Sequence, residues 1–346
     1  DSDNDGVYDS LDAYPTDSTL IAEIPEALDI GGLSLWVDAD DTSFIVKDGS
    51  NLVSKIYDKS GNGNHALQSN ATYKPEYVAS SINGKNVINF DGSDDRLNCG
   101  NDSTLDLTTL TVFTVVKATS FQWLGGIVGK YHSNSANGYF FRLFGSSPYN
   151  KFSAGGVAGV DGTMSLTSGQ PYIGAVRYGL TTNSVEVYTR GESATGTSTI
   201  SSNTDDVYIG VDFLADPRFW NGDIGETIIF NKALSDDELY VVNYYLSQKW
   251  GLQDIMDSDG DGIDDSIDMY PTDNSRIADI PEALNITGLS LWIDPGDSTS
   301  IIKDGSNLVS NIYDKSGNGD HVYQTESSYK PVYNTTELEN SSIYFD

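Results

Sequence analysis

Short apolar stretches separated by Gly, Ser and Asn clusters run along most of this chain. Gly32-Leu-Ser-Leu-Trp-Val-Asp38 alternates apolar and polar positions with a period of two, the pattern of a half-buried strand. The same reasoning predicts strands at Leu52–Tyr57, Val87–Phe90, Thr111–Lys117, Tyr139–Phe144, Tyr172–Tyr178, Ser184–Arg190, Asp206–Val211 and Gly225–Phe230. Within Val185-Glu-Val-Tyr-Thr-Arg190 the even positions are expected to face water. Asp48-Gly49 and Asp91-Gly92 read as turns. Strands and turns at these intervals predict an antiparallel sandwich, and residues 24–256 are enough for one large core.

One stretch changes period. Leu239, Val242, Leu246 and Trp250 form an apolar stripe at helical spacing. Ser235 with Glu238 three residues later makes a capping box, and Gly251 stands where a helix ends. A helix is therefore expected from Ser235 to Trp250, docked on the sandwich, directly ahead of Asp257.

Two stretches have no core pattern. In Asp257-Ser-Asp-Gly-Asp-Gly-Ile-Asp-Asp-Ser-Ile-Asp268, the residues Asp257, Asp259, Asp261, Asp265 and Asp268 take positions 1, 3, 5, 9 and 12 of a loop. The Ile263 carbonyl falls at position 7, and Gly262 permits the sharp bend. Ca²⁺ takes six to eight hard oxygens, and this spacing turns them inward. Asp1, Asp3, Asp5, Val7, Asp9 and Asp12 repeat the arrangement at the start of the sequence. A solvated acidic linker is the alternative; five carboxylates in register repel one another without a cation, which favours calcium. Pro271 and the lack of flanking helical patterns exclude an EF-hand.

The offset of 257 − 1 = 256 residues holds from Trp36 to Trp292, from Asp58 to Asp314 and from His65 to His321, and slips by one only near Phe90 and Phe345. The chain reads as a fragment: one full unit and the opening of a second. The expected divisions are a connector at 1–23, a sandwich at 24–256, a second connector at 257–279 and part of a second sandwich at 280–346. The opening strands of that second sandwich are expected to expose an apolar face that includes Leu289, Leu291, Trp292 and Ile293.

The formal charge of −32, from 51 acidic and 19 basic residues, argues against nucleic acid and anionic membrane surfaces as partners. The single cysteine, Cys99, leaves no intrachain disulfide and reads as a buried thiol. No apolar run has the length of a membrane span.

The form D-x-D-x-D-G-x-x-D-x-x-D-x-x-P resembles the thrombospondin type 3 repeat, an extended connector filled with calcium. Leu33-Ser-Leu-Trp-Val-Asp38, Asp58-Lys-Ser-Gly-Asn-Gly-Asn-His-Ala66, Asn89-Phe-Asp-Gly92, Gly222-Asp-Ile-Gly-Glu-Thr-Ile-Ile-Phe-Asn231 and Lys249-Trp-Gly-Leu252 are similar to bacterial laminin-G-like domains of the concanavalin A type. The resemblance implies an all-β jelly-roll sandwich with one C-terminal helix. It does not fix function, because this fold hosts lectins, adhesion modules, hydrolases and spacers.

Candidate chemistry is sparse. Glycosidases on this fold use two carboxylates on one strand face. The nearest pair, Asp223 and Glu226, is three residues apart, which predicts opposite faces and no shared glycosidic bond. His65, His132 and His321 are too few for zinc. Asp58, Ser60, Asn62 and Asn64 suit either a hydrogen-bonded turn, which is favoured, or a further calcium; Asp91, Asp94 and Asp95 pose the same choice. Trp123, Tyr131, His132, Tyr149 and Trp220 are candidate sugar platforms, each expected in the core instead. The expectation is a non-enzymatic, exported, calcium-dependent adhesion or scaffold protein with self-association between units, and a glycan-binding module as the alternative.

Overall fold

The computed structural model describes residues 2–3, 12–17, 21–131, 138–144, 147–156, 158–214, 218–276, 288–334 and 342–345. Two compact units are present, Asp1–Leu252 and Gln253–Asp346.

The first unit is a sandwich of two antiparallel sheets. One runs, edge to edge, Glu192–Thr197, Ser184–Thr189, Pro171–Tyr178, Leu110–Ala118, Asn221–Phe230, Lys85–Asp91 and Glu76–Ile82, with Leu33–Asp38 also paired to Asn221–Phe230. The other has nine strands: Gly159–Asp161, Lys151–Gly155, Phe140–Phe144, Gly126–Gly129, Val207–Ile209, Leu97–Gly100, Ala66–Leu67, Val53–Ile56 and Ile45–Lys47. Between them lies one core that includes Leu35, Val112, Val116, Phe141, Leu143, Val176 and Ile229. Alternation places it there: Val112 and Val116, or Phe141 and Leu143, are an even number of residues apart and share a face.

Every strand predicted within residues 24–256 is present, and several short ones had no clear signal. Glu76–Ile82 is joined to Lys85–Asp91 by Asn83-Gly84, both at positive φ (48° and 83°), as a two-residue hairpin requires. Glu192–Thr197 is almost wholly polar because it is an edge strand, half exposed.

The helix spans Asp236–Trp250 with both halves of the capping box formed and Gly251 at φ 61°. Leu239, Val242, Leu246 and Trp250 are completely buried, as a stripe docked on the sandwich should be. Its docking corrects one expectation. Glu186 and Tyr188 do not face water: Glu186 is 8% exposed and accepts from Arg177 Nε at 2.6 Å, and Tyr188 packs near Tyr240 of the helix. A helix lying over the outer face turns nominally polar positions into an interior.

In the second unit the elements recur at the same 256-residue offset. Ile301–Lys303, Val309–Ile312 and Val322–Tyr323 form one small sheet, and Val332–Asn334 pairs with Ser342–Tyr344. A small core gathers Ile301, Val309, Ile312 and Tyr333. Residues 289–294, which repeat Leu33–Asp38, are not in a strand. In the first unit that strand pairs with Asn221–Phe230, and no such partner exists among the described residues of the second. Leu291 is 48% exposed, whereas Leu35 is wholly buried.

Candidate metal centre

The loop that starts at Asp257 is built by its own carboxylates. Asp257 accepts from the Gly260 and Gly262 N–H groups at 2.6 and 2.9 Å. Asp259 accepts from Asp261 N–H and Asp261 from Ile263 N–H. These bonds fold alternate residues inward, and Gly260 and Gly262 take the positive φ values the coil needs.

As a result, Asp257, Asp259 and Asp261 each bring an oxygen within 4.8 Å of the others. Asp259 is 2% exposed, and the Oδ2 atoms of Asp259 and Asp261 are buried without a hydrogen-bond partner. Burial pushes the Asp259 carboxyl up to about 8, with Asp268 and Asp257 adding to it. Burial and the neighbouring Asp259 and Asp268 push Asp261 up to about 9. Asp268 rises to about 7, chiefly by burial. Buried carboxyl oxygens gathered together without donors are what a hard divalent cation satisfies, displacing the protons they otherwise hold. The residues therefore fit a metal ion.

The remaining candidates are placed differently. Asp265 stands outside the cluster, and its two oxygens accept from Ser258 N–H at 2.7 Å and Ser258 Oγ–H at 2.8 Å. It braces the first turn of the loop. Asp268 Oδ1 accepts from Tyr270 N–H at 2.8 Å. Ile263 buries its side chain with Tyr313. Of the first loop, Asp1, Asp5, Val7 and Asp9 lie outside the described residues. Asp3 is partly buried, and Asp12 is 8% exposed and accepts from Tyr14 N–H at 2.7 Å, matching Asp268 and Tyr270.

Asp58 is a turn centre. Its oxygens accept from Trp36 N–H, Ser60 N–H, Ser60 Oγ–H and Asn64 N–H. All lone-pair directions are taken, and the hydrogen-bonded turn accounts for the Asp58–Asn64 pattern. Asp91, Asp94 and Asp95 also approach within 4.8 Å, but Asp91 Oδ1 accepts from Ser93 and Asp94 N–H groups and Asp95 Oδ2 from Asp91 N–H. Burial pushes Cys99 above the ordinary thiol range.

The placement of Asp223 and Glu226 corrects the sequence-based expectation. Asp223 lies opposite Lys117, Ile224 opposite Val116 and Glu226 opposite Val115. Gly225 is an extra residue, a β-bulge, so the two carboxylates share one face. They still form no acid–nucleophile pair. Asp223 accepts from Ser81 and Asn89 and pairs with Lys117 at 3.0 Å. Glu226 is 1% exposed and accepts from Trp36 Nε1 at 2.7 Å and Trp250 Nε1 at 2.8 Å, with Lys249 Nζ at 2.8 Å. Burial raises the Glu226 pKa and Asp38 adds to it, while Lys249 opposes them. Three donors, Trp36 Nε1, Trp250 Nε1 and Lys249 Nζ, converge on its oxygens and favour its charged form against that burial. Periodicity alone does not show the two indole donors of this centre; the available signal was an acid inside the apolar run Ile224–Phe230.

The sugar-platform candidates divide. Trp220 is wholly buried and Tyr131 is partly covered by Phe140 and Phe213. Tyr149 is partly buried, and His132 lies outside the described residues. Trp123 is 54% exposed, with the Arg218 guanidinium 5.7 Å from its ring.

Residues 91–240 match the family model described as the concanavalin A-like lectin/glucanases superfamily. No curated protein matches the chain. Among solved structures, domain 4 of a GH43 extracellular arabinanase from Geobacillus stearothermophilus, solved with arabinotriose, is 18% identical. The likeness covers 61% of this chain and 96% of that one, with a TM-score of 0.43. The sialidase of Trypanosoma rangeli is 14% identical over 66% of this chain and 34% of its own, with a TM-score of 0.46. A pentraxin from Limulus polyphemus is 20% identical over 45% of this chain and 80% of its own, with a TM-score of 0.36. No helix among the described residues is long and apolar enough to cross a membrane. The fold is a concanavalin A-like jelly roll, with acidic clusters able to hold a metal ion.

Proposed function

We propose that this chain is part of an exported, non-enzymatic scaffold or adhesin in which calcium-stiffened connectors space laminin-G-like sandwiches. The observation that carries the reading is the pair of buried, partnerless Oδ2 atoms on Asp259 and Asp261, held beside Asp257. Asp257, Asp259 and Asp261 would hold the ion, with Asp268 adding charge and Asp265 bracing the turn. Bound calcium removes the mutual repulsion that otherwise opposes the loop. The first loop, with Asp1, Asp3, Asp5, Val7, Asp9 and Asp12, takes the same role by its identical spacing. Calorimetry of the full chain should show calcium binding between about 10⁻⁷ and 10⁻³ M. The Asp259→Ala and Asp261→Ala variants should each lose one site; retention of every site in both removes the assignment.

A second reading is glycan binding. A cleft of about 600 Å³ on the nine-stranded sheet is lined by His65, Gln68, Arg96, Asn98 and Tyr208 among others. It combines an aromatic with side-chain amides, as sugar sites do. A glycan array probed with and without EDTA separates the two readings.

A further inference from the structure

The sequence presents the second acidic loop as an extended connector, yet within its unit the loop is seated on a folded turn. Ile263, at position 7, is 3% exposed and packs with Tyr313, itself 5% exposed. His321 Nε2 lies 3.2 Å from the Asp261 carbonyl oxygen. Its other ring nitrogen, Nδ1, accepts from Asp314 N–H at 3.0 Å. A neutral ring with Nδ1 as acceptor carries its proton on Nε2, so His321 donates to Asp261. The Tyr313 ring stands edge-on to the imidazole, with centroids 5.2 Å apart, and fixes its plane.

Two glycines record how close the approach is. A Cβ at Gly262 would lie 2.9 Å from His321 Nε2, and one at Gly317 would lie 2.2 Å from the Ser275 carbonyl oxygen. The loop is therefore held at residues 261–263 and again at Ser275, both times on the segment Tyr313–His321. Asp261 carries one of the loop's two partnerless buried oxygens, and its backbone carbonyl is held from outside the loop by His321.

We propose that His321 is a positioning residue of this metal loop, and that cation binding at Asp257–Asp261 and ordering of the segment Tyr313–Tyr323 are one coupled event. This rests on the calcium reading above. Coupling is reciprocal: whatever calcium adds to the order of the turn, an ordered turn adds to calcium affinity. Calcium would then act on the opening strands of the second unit as well as on the connector.

Peptide-resolved hydrogen exchange of the full chain, titrated with CaCl₂ from EDTA, tests it. Calcium should protect residues 257–268 and 312–323 with one shared midpoint. His321→Asn keeps an acceptor for Asp314 and loses the donor to Asp261. It should shift that midpoint upward by about fivefold, the order of one hydrogen bond's net worth. His321→Gln carries an amide N–H toward the position of Nε2 and should return it to within about twofold of the parent. Ile263→Ala weakens the same contact from the loop side and should shift the midpoint in the same direction even if His321→Asn fails to fold. His65→Asn, at the equivalent position of the first unit, should leave it unchanged. Protection confined to 257–268, with midpoints unmoved in His321→Asn and Ile263→Ala, overturns the coupling and leaves the calcium reading intact. No protection of 257–268 at any calcium concentration overturns both.

Discussion

Replacing Glu226 by Gln tests whether one buried carboxylate organises the join between helix and sheet. The amide keeps one oxygen and puts an NH₂ where the other stood. Trp36 Nε1 donates to Oε1 at 2.7 Å and Trp250 Nε1 to Oε2 at 2.8 Å. Whichever way the amide turns, one indole N–H meets a second donor. The Lys249 contact at 2.8 Å loses its charge, although Lys249 retains Asp38 at 2.7 Å. A buried donor left without an acceptor costs about 1–3 kcal/mol, and breaking a buried ion pair about 3–5 kcal/mol. These costs overlap, and about 4 kcal/mol is the expected total, a large share of the roughly 5–15 kcal/mol that holds a domain together. At about 2–4 °C per kcal/mol for a unit of this size, Tm should fall by roughly 8–16 °C. Urea unfolding of the full chain followed by tryptophan fluorescence, with a parallel thermal melt, measures it. A change below about 1 kcal/mol would refute the reasoning, because it would mean that Glu226 is not the acceptor that both indoles depend on.

Other expectations follow from the same contacts. Trp250→Phe keeps most of the buried ring but removes the N–H given to Glu226; it should cost about 1.5–3 kcal/mol by chemical denaturation, and Trp250→Ala about 3–5 kcal/mol or more. Gly225→Ala places a Cβ 2.4 Å from the Trp250 ring and should cost about 1–3 kcal/mol by overpacking; an unchanged midpoint would show that the bulge relaxes freely. Calcium binding should release protons and strengthen with pH between about 6 and 9, because Asp259 and Asp261 must give up protons held at about 8 and 9. In EDTA the sign reverses: the folded loop binds more protons than the unfolded chain, so stability of the second unit should rise as pH falls from about 9 toward 5. Burial, with Lys55 adding to it, lowers the His65 pKa to about 4. The folded state then binds fewer protons than the unfolded one, so a contribution of at most about 3 kcal/mol is present above pH 6.5 and lost as pH falls to 4; His65→Asn should flatten that slope.

Much of the fold could be read locally. The helix announced itself by its stripe, capping box and terminal glycine, all within 17 residues of one another, and it forms as expected. The strands were legible where one face meets the core and the other does not, since alternation then writes burial into the sequence. The acidic spacing pointed to Asp257, Asp259 and Asp261, which gather through their own bonds to nearby backbone N–H groups, but it did not separate them from Asp265, which turns to Ser258 instead.

The sequence by itself determined what depends on neighbours along the chain: the helix, the strand alternation, the loop coil and the 256-residue recurrence. The tertiary structure alone decided what depends on neighbours in space. Asp223 and Glu226 share a face because a bulge at Gly225 shifts the parity of one strand, and nothing in three residues of spacing shows an extra residue. Glu226 is a structural acceptor because Trp36, 190 residues away, and Trp250 on the helix both point at it. Glu186 and Tyr188 are interior because a helix docks over a face that strand alternation marks as outward. His321 reaches Asp261 across 60 residues, and Leu291 is exposed where Leu35 is buried. In each case the side chain's role is set by a group brought to it only when the sheets close, a distance that periodicity along the chain does not encode.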